Sequence, residues 1–548
     1  MAAPDRERLS RYAPLVLLAV AMAAAAAVLL RYGAHLTFFQ DSWEFLMQRR
    51  DPSATTLLDP HNEHIVLLPV LITQASLRLF GMDSMTPELV LLVALQLVVA
   101  GLLFIYARRR LGPWPALFAA TLLLFLGPAW QDLLWPFQIG FVGASAFGLA
   151  TLLAMENDDD RWDRAACVFL VISIAFSSLG IAFALAAAVD VLQRRRQRGL
   201  RRAYVFALPL LLYAGWYLGW GHEAENNLSA HNVLVSPSYV WEGLTASLDS
   251  VLALGTISDE VVGRSQWGAP LLIALLALAA YGGYRRRGFF GGLWPVLAAA
   301  ATFWFLAAFN DGPGREPYSS RYLYDGGLFA LLIAVNLLQG VQFKRWALLV
   351  GAALTAVIVG FNLVPLREGR DFFEKQTALT RSDLAAIEIA DRSIEPGFRL
   401  APEVAGTVYL NEVEAGEYLQ AVDEYGSPAY SPAELAAAPE EGRAQADLVL
   451  ANALPLGIEE APGGAGERDC VKASAAAPLA LRPGVTTIEL GPGGEGTLRL
   501  RRFAAREYPL RTVLAAGSTT RLYIPRDNLA RPWQLLVDAE QGATVCRA

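Results

Sequence analysis

The chain is poor in cysteine and in charge. Three cysteines among 548 residues cannot build a disulfide-dense scaffold, and their spacing matches no zinc or redox motif. Only 18% of residues are charged, against 54% hydrophobic, and mean hydropathy is +0.36. The net charge of -7, from 45 basic and 52 acidic residues, leaves no basic excess and argues against a nucleic-acid partner. So apolar a composition also excludes a disordered chain. What fills the first two-thirds instead is a series of uncharged apolar runs. A helix needs roughly 17–25 such residues to cross a bilayer, so a purely globular enzyme is excluded too.

Residues 1–12 carry Arg6, Arg8 and Arg11 and are followed by an uncharged run, 13–30. That run is long for a signal-peptide core and reads as an anchored helix, with a cleaved signal as the alternative. Later basic clusters are Arg108, Arg109 and Arg110; Arg161 and Arg164; the arginines of 194–202; Arg285, Arg286 and Arg287; and Lys344 with Arg345. Positive residues favour the cytoplasmic side, so an even number of crossings should separate successive clusters. Runs near 88–107, 115–130, 138–154, 203–220, 269–284, 289–309, 324–341 and 346–363 fit that demand.

A span at 65–80 would reverse every later cluster. This run also contains Pro69, Thr73, Gln74 and Arg78, and so reads as an interfacial helix. Residues 165–192 must cross twice. Two helices of about 14 residues reach only about 21 Å, short of the ~30 Å hydrocarbon core. The turn at Ser177, Ser178, Leu179 and Gly180 should then lie below the outer surface. Irregular backbone at that depth implies a cavity. The count is about eleven spans, which leaves the C-terminus outside the cell. The outer segments become 31–86, 131–137, 221–268, 310–323 and everything after 364. No basic residue occurs in 131–137, and only Arg264 in 221–268.

The expected architecture is a polytopic α-helical membrane domain (1–363), a helical linker (364–404) and an extracellular β-rich domain (405–548). In the linker, 371–392 reads as a helix with Phe372, Phe373, Leu379, Leu384 and Ile387 on one side. Alternating runs at 486–490, 497–500, 520–524 and 534–537, bounded by Gly or Pro, argue a small β-sandwich. Outside the cell, Cys470 and Cys546 are expected to form a disulfide, with free thiols as the alternative.

Polar residues at the ends of apolar helices are the candidates for chemistry, because ionisable groups near hydrocarbon are costly. Asp41 follows an apolar tetrad in the first outer loop. It suits a base that deprotonates a hydroxyl, or the N-cap of a short helix at 42–49. Asp59 with Pro60 signals a helix start, which would set His61 and His64 one turn apart with Glu63 beside them. Those three could hold a divalent metal, bind a phosphate, or be solvated at the interface. Trp130 and Trp135 suit an aromatic belt. Asp132, with no basic neighbour in its loop, is expected to face the same cavity as Asp41, as is Gln138. Arg321 abuts a span on the disfavoured side, where a guanidinium can clamp a phosphate or pair with Glu316 or Asp325.

Together these residues resemble the C-type (GT-C) glycosyltransferases, polytopic enzymes that use polyprenyl-phosphate sugars. The resemblance covers roughly residues 10–363 and is one of layout. Asp41 matches the catalytic carboxylate of the first outer loop, although Glu44, three residues on, replaces the usual adjacent acid. Asp132 matches a second acid. The run from Glu63 to Pro69, followed by Leu79, Phe80 and Gly81, looks like the segment leading into span two. Ser320, Arg321 and Tyr322 look like the late arginine motif that meets the lipid phosphate. The run from Trp135 to Phe141 is similar to one in a group of actinobacterial membrane proteins.

The resemblance implies sugar transfer at the outer face of the plasma membrane, with the N-terminus cytoplasmic. The donor would be a polyprenyl-phosphate-linked sugar arriving through the membrane lipid, and the acceptor a cell-wall component or glycolipid. Asp41 and Asp132 would be catalytic. Glu44, His61, Glu63, His64, Gln138, Arg321 and Tyr322 would bind substrate. A transporter or flippase for a lipid-linked saccharide is the alternative. Against it stand the lack of an inverted repeat and the reading of Asp190 as the only acid inside a span. A non-catalytic scaffold presenting the tail to the envelope is the third reading.

Overall fold

The computed structural model describes residues 3–547 except 158, 199, 225–226, 259–260, 264–266, 286–290, 406–408, 461–469, 475, 492–494 and 540–542. Arg264, Arg286 and Arg287 therefore lie outside the described residues. The chain divides into two compact units. One comprises Met1–His35, Asp51–Ser76 and Thr86–Phe373, the other Leu36–Arg50, Leu77–Met85 and Glu374–Ala548.

The first unit is helical. Among the described residues, Tyr12–Gly33, Thr86–Leu111, Pro136–Met155 and Arg345–Ser393 are long and apolar enough to cross a membrane. The pair Pro113–Leu124 and Gly127–Leu134, bent by 42°, makes a fifth if counted as one span. Leu67–Phe80, Gly268–Tyr284 and Leu293–Phe309 are apolar but shorter. Length and composition thus support up to five of the expected eleven crossings. The bend has a local cause: Gly127 opens a 3-10 turn where an added Cβ would sit 1.7 Å from the Asn362 carbonyl oxygen. Only glycine permits that approach.

The two helices expected within 165–192 are present and longer than supposed, Asp160–Phe176 and Gly180–Arg198. They break where the serines fall. Ser177 is extended (φ -165°, ψ 152°), and its hydroxyl accepts from the Leu179 N–H at 3.3 Å. Small residues let this pair lie close against Ile139–Met155: a Cβ on Gly143 would meet the Phe176 ring at 2.5 Å, and one on Gly148 the Phe183 ring at 2.2 Å. Such small-residue contacts are how helices pack tightly in lipid, where water supplies no driving force.

Three sequence expectations need correction, and one segment gains structure. Residues 221–268, expected as an outer segment, contain the 22-residue helix Ala230–Val251, which packs on Leu293–Phe309 and Ser320–Leu337. Its spaced small and aromatic residues carry too little continuous hydropathy to read as a span. Trp130 and Trp135 are not belt residues. Both are buried, Trp130 against Phe372 and Phe373 (ring centroids 5.3 and 5.0 Å) and Trp135 stacked on Phe137. The last apolar run and the expected linker helix are one helix, Arg345–Ala390, which runs through Pro365. A proline costs such a helix one hydrogen bond without ending it here. Finally, Asp190 is not the only acid within the apolar helices, because Asp325 is buried in Ser320–Leu337.

The second unit ends in two packed antiparallel sheets. One has strand order Leu479–Leu481, Trp533–Asp538, Gly496–Arg501, Tyr508–Leu514; the other runs Gly457–Glu460, Thr519–Ile524, Gly484–Leu490, Ala543–Arg547, Cys470–Ala473. Inward residues alternate along the strands, as at Leu498 and Leu500, so the period-two reading holds. Cys470 and Cys546 face each other across adjacent strands and are joined by a disulfide. Before the sheets, and after the short turn of helix Pro402–Ala405, come helices that alternation could not reveal, among them Ala415–Tyr425, Pro432–Ala437 and Glu440–Ala453. Pro432–Ala437 opens with a capping box between Ser431 and Glu434.

Candidate active site

The loop carrying His61 and His64 is fastened at both ends. On one side the Trp216 indole N–H donates to the Leu58 carbonyl at 2.7 Å. On the other the Ile65 N–H donates to Ser178 Oγ at 3.2 Å. Between these points the backbone does not begin a helix as Asp59 and Pro60 suggest. It closes a tight turn in which the His61 N–H donates to the His64 carbonyl and the reverse, both at 3.0 Å. Asn62 takes the left-handed conformation (φ 49°), which asparagine tolerates better than most residues. The helix starts only at Leu67.

That turn separates the expected metal ligands. His61 packs edge-on against Phe137, with its Nε2 2.9 Å from the Asn62 amide nitrogen. His64 packs against Phe141, and its Nε2 lies 3.5 Å from Glu63 Oε1. Glu63 is already engaged: Arg315 Nη1 donates to both of its oxygens at 2.9 Å, and Arg315 Nη2 to Asn62 Oδ1 at 3.2 Å. Among the described residues no three His, Cys, Asp or Glu side chains converge in a way that could hold a metal ion.

Beside this cluster opens a cavity of about 290 Å³. Glu63, His64, Ser178, Tyr213, Asn310 and Tyr322 form its polar lining, and Phe141, Leu179, Ile181, Phe303 and Leu306 its apolar wall. Ser178, in the break between the helix pair, lines this cavity; the helices themselves are longer than the expectation assumed. Burial alone would raise the Glu63 carboxyl, but His64 and Arg315 outweigh it and hold it below the ordinary range. Burial pushes the His64 imidazole down, against the pull of Glu63; His61, Arg315 and Arg321 push it further the same way. The imidazole is therefore favoured as neutral.

Arg321 stands next to Tyr322, its guanidinium 5.7 Å from the ring centroid, and donates to the Gly314 carbonyl. The expected partners are taken elsewhere. Glu316 accepts from Ser319 Oγ at 3.1 Å and from the Gly314 N–H at 3.2 Å, and Asp325 accepts from Ser145. Among the described residues Arg321 forms no hydrogen-bonded ion pair, and its charge acts electrostatically on the buried Asp132 carboxyl.

Asp132 is not part of this cavity lining. It sits in the short helix Trp130–Leu134, fully buried, beside Asp325 and Tyr324, and the Gln96 amide donates to its backbone carbonyl at 2.7 Å. The reason is the bend after Leu124, which turns the loop back into the helix packing rather than outward. Gln138 is likewise buried, at 1% exposure. Asp41 and Glu44 belong to the second unit. Asp41 occupies the N-cap position of Ser42–Gln48 but does not cap it: its backbone is helical (φ -58°, ψ -17°), whereas capping needs an extended residue. Glu44 pairs with Arg49 at 2.6 Å.

Sequence reasoning singled out Glu63, His64 and Tyr322 but missed Arg315, Ser178 and Tyr213 as their neighbours. Arg315 had a signal, since it is the other arginine in the loop of Arg321.

No protein-family model matches the chain, and no curated protein does. Similar solved structures include ArnT from Cupriavidus metallidurans bound to undecaprenyl phosphate, at 15% identity and TM-score 0.46, covering 73% of this chain and 84% of that one. Another is the Archaeoglobus fulgidus oligosaccharyltransferase tethered by a disulfide to an acceptor peptide containing the NVT sequon. It is 12% identical, with TM-score 0.40, covering 82% of this chain and 69% of that one.

Proposed function

We propose that the chain is a membrane glycosyltransferase of the GT-C type. It moves a sugar from a polyprenyl-phosphate donor to a cell-envelope acceptor at the outer face of the plasma membrane. The observation that carries this reading is the cavity itself. An apolar wall of Phe141, Leu179, Ile181, Phe303 and Leu306 ends at a polar corner with Tyr322 and His64, next to Arg321, which among the described residues forms no hydrogen-bonded ion pair. That combination suits a ligand with a hydrocarbon tail and an anionic head.

In this scheme Arg321 holds the phosphate and takes up the negative charge that develops as it leaves. His64, favoured as neutral, donates one N–H to the same group. Arg315 is already neutralised by Glu63 and positions the turn instead. The acceptor hydroxyl oxygen bonds to the sugar carbon, the bond from that carbon to the phosphate oxygen breaks, and the electron pair leaves with the phosphate. The hydroxyl proton passes to Asp41, the proposed base. Asp132, buried beside Asp325 and within electrostatic reach of Arg321, stays the proposed second catalytic carboxylate.

Supporting the lipid-linked donor are the residue layout resembling the GT-C enzymes and the apolar helices of the first unit. The about eleven crossings, the cytoplasmic N-terminus and the extracellular tail belong to the same proposal. Asp41→Asn and Arg321→Ala should each lower transfer by 10²- to 10⁴-fold, the usual cost of losing such a group, while both proteins still fold. Wild-type activity in the first variant would remove Asp41 as base, and in the second would remove the phosphate site.

A further inference from the structure

A second cavity, of about 230 Å³, lies in the first unit away from the candidate site. Its lining is hydrocarbon throughout. Phe118 and Leu122 come from Pro113–Leu124, Leu331 and Val335 from Ser320–Leu337, and Ala347 and Gly351 from Arg345–Ala390. Gly351 approaches Phe118 closely in this groove, since a Cβ there would lie 2.9 Å from the ring. From Pro115 to Leu122 the helix rises about 10 Å, enough for the outer part of one acyl chain.

Basic residues adjoin part of the lining of this groove in sequence. Leu111, Leu338 and Phe343 line it where three helices begin or end, and Arg108, Lys344 and Arg345 flank those residues in sequence. Arg109 and Arg110 are both spent on Glu156. Arg108, Lys344 and Arg345 are exposed, and among the described residues their side chains enter no ion pair. An apolar slot whose lining is adjoined in sequence by three exposed cations that enter no ion pair among the described residues complements one chemistry, a fatty chain joined to a phosphate. We infer that this groove binds an anionic phospholipid of the bilayer, its chain between Phe118 and Ala347 and its phosphate at Arg108, Lys344 and Arg345.

The test is native mass spectrometry of the full-length protein in mild detergent, titrated with phosphatidylglycerol or with phosphatidylcholine. Phosphatidylglycerol adducts should form at lower lipid concentration. Lys344→Ala combined with Arg345→Ala should weaken them about 30-fold, about 5-fold per charge at a membrane surface, and leave phosphatidylcholine unchanged. Ala347→Trp, which fills the slot, should weaken both lipids. Arg161→Ala combined with Arg164→Ala, at a different basic cluster, should change neither. Equal binding of the two lipids, an equal loss in the Arg161/Arg164 control, or full binding by Ala347→Trp would each overturn the inference.

Discussion

Removing Arg315 should expose how the turn at His61 and His64 is held. Arg315→Ala deletes two contacts of 2.9 Å to Glu63 and one of 3.2 Å to Asn62. The paired side chains are 20% and 23% exposed. Exposed ion pairs contribute about 0.2–1 kcal/mol, whereas breaking a buried one costs about 3–5 kcal/mol. One-fifth exposure, with Nη1 shared between both carboxylate oxygens, puts this pair between those limits, at about 2 kcal/mol. Arg315→Ala, Glu63→Gln and the double variant form a cycle, read from thermal unfolding in detergent by intrinsic fluorescence. The coupling should be about 1–2 kcal/mol, because Glu63→Gln removes the charge that Arg315 serves. For a unit of about 350 residues a kcal/mol moves the midpoint about 1–2 °C, so Arg315→Ala alone should lower it by about 3 °C. A coupling below about 0.5 kcal/mol would refute the claim that this pair fastens the loop.

The His64 imidazole is pushed below its ordinary 6.5, so between the folded and unfolded values the unfolded chain binds more protons. Its contribution to stability is complete above pH 6.5 and is lost as pH falls through the folded value; His64→Gln should flatten that part of a melting-versus-pH profile. Glu63 acts in a lower window, its contribution complete above 4.5 and lost on further acidification. Cys470 and Cys546 close a loop across 76 positions, so reduction or Cys546→Ser should cost the second unit about 2–5 kcal/mol, visible as a reductant-dependent shift in its unfolding.

How much of this was legible in the sequence follows from which signals are local. The break at Ser177 and Ser178 could be read because two crossings had to fit in one apolar run and the serines interrupt it, although the helices are longer than the expected about 14 residues. The strands could be read because alternation is strict at residues such as Leu498 and Leu500. The turn at His61 could not, because Asp59 with Pro60 marks a helix start and only the fold decides that Asn62 turns left-handed instead. Asp132 looked like a loop residue because its neighbours are aromatic and uncharged. In the structure those same neighbours draw it inward, Trp130 onto Phe372 and Phe373. Arg321 was found by its place beside an apolar run, and Arg315 was overlooked because pairing with Glu63 across 252 positions leaves no trace in local sequence. Pro365 suggested a boundary that a long helix simply absorbs.

The central claim is that an isoprenoid-phosphate sugar is consumed. Purified full-length protein should be incubated with a panel of polyprenyl-phosphate sugars and an envelope-derived acceptor, and the liberated polyprenyl phosphate quantified. The account predicts release with at least one donor, abolished by Arg321→Ala. No release from any donor, or release that Arg321→Ala leaves untouched, would contradict it.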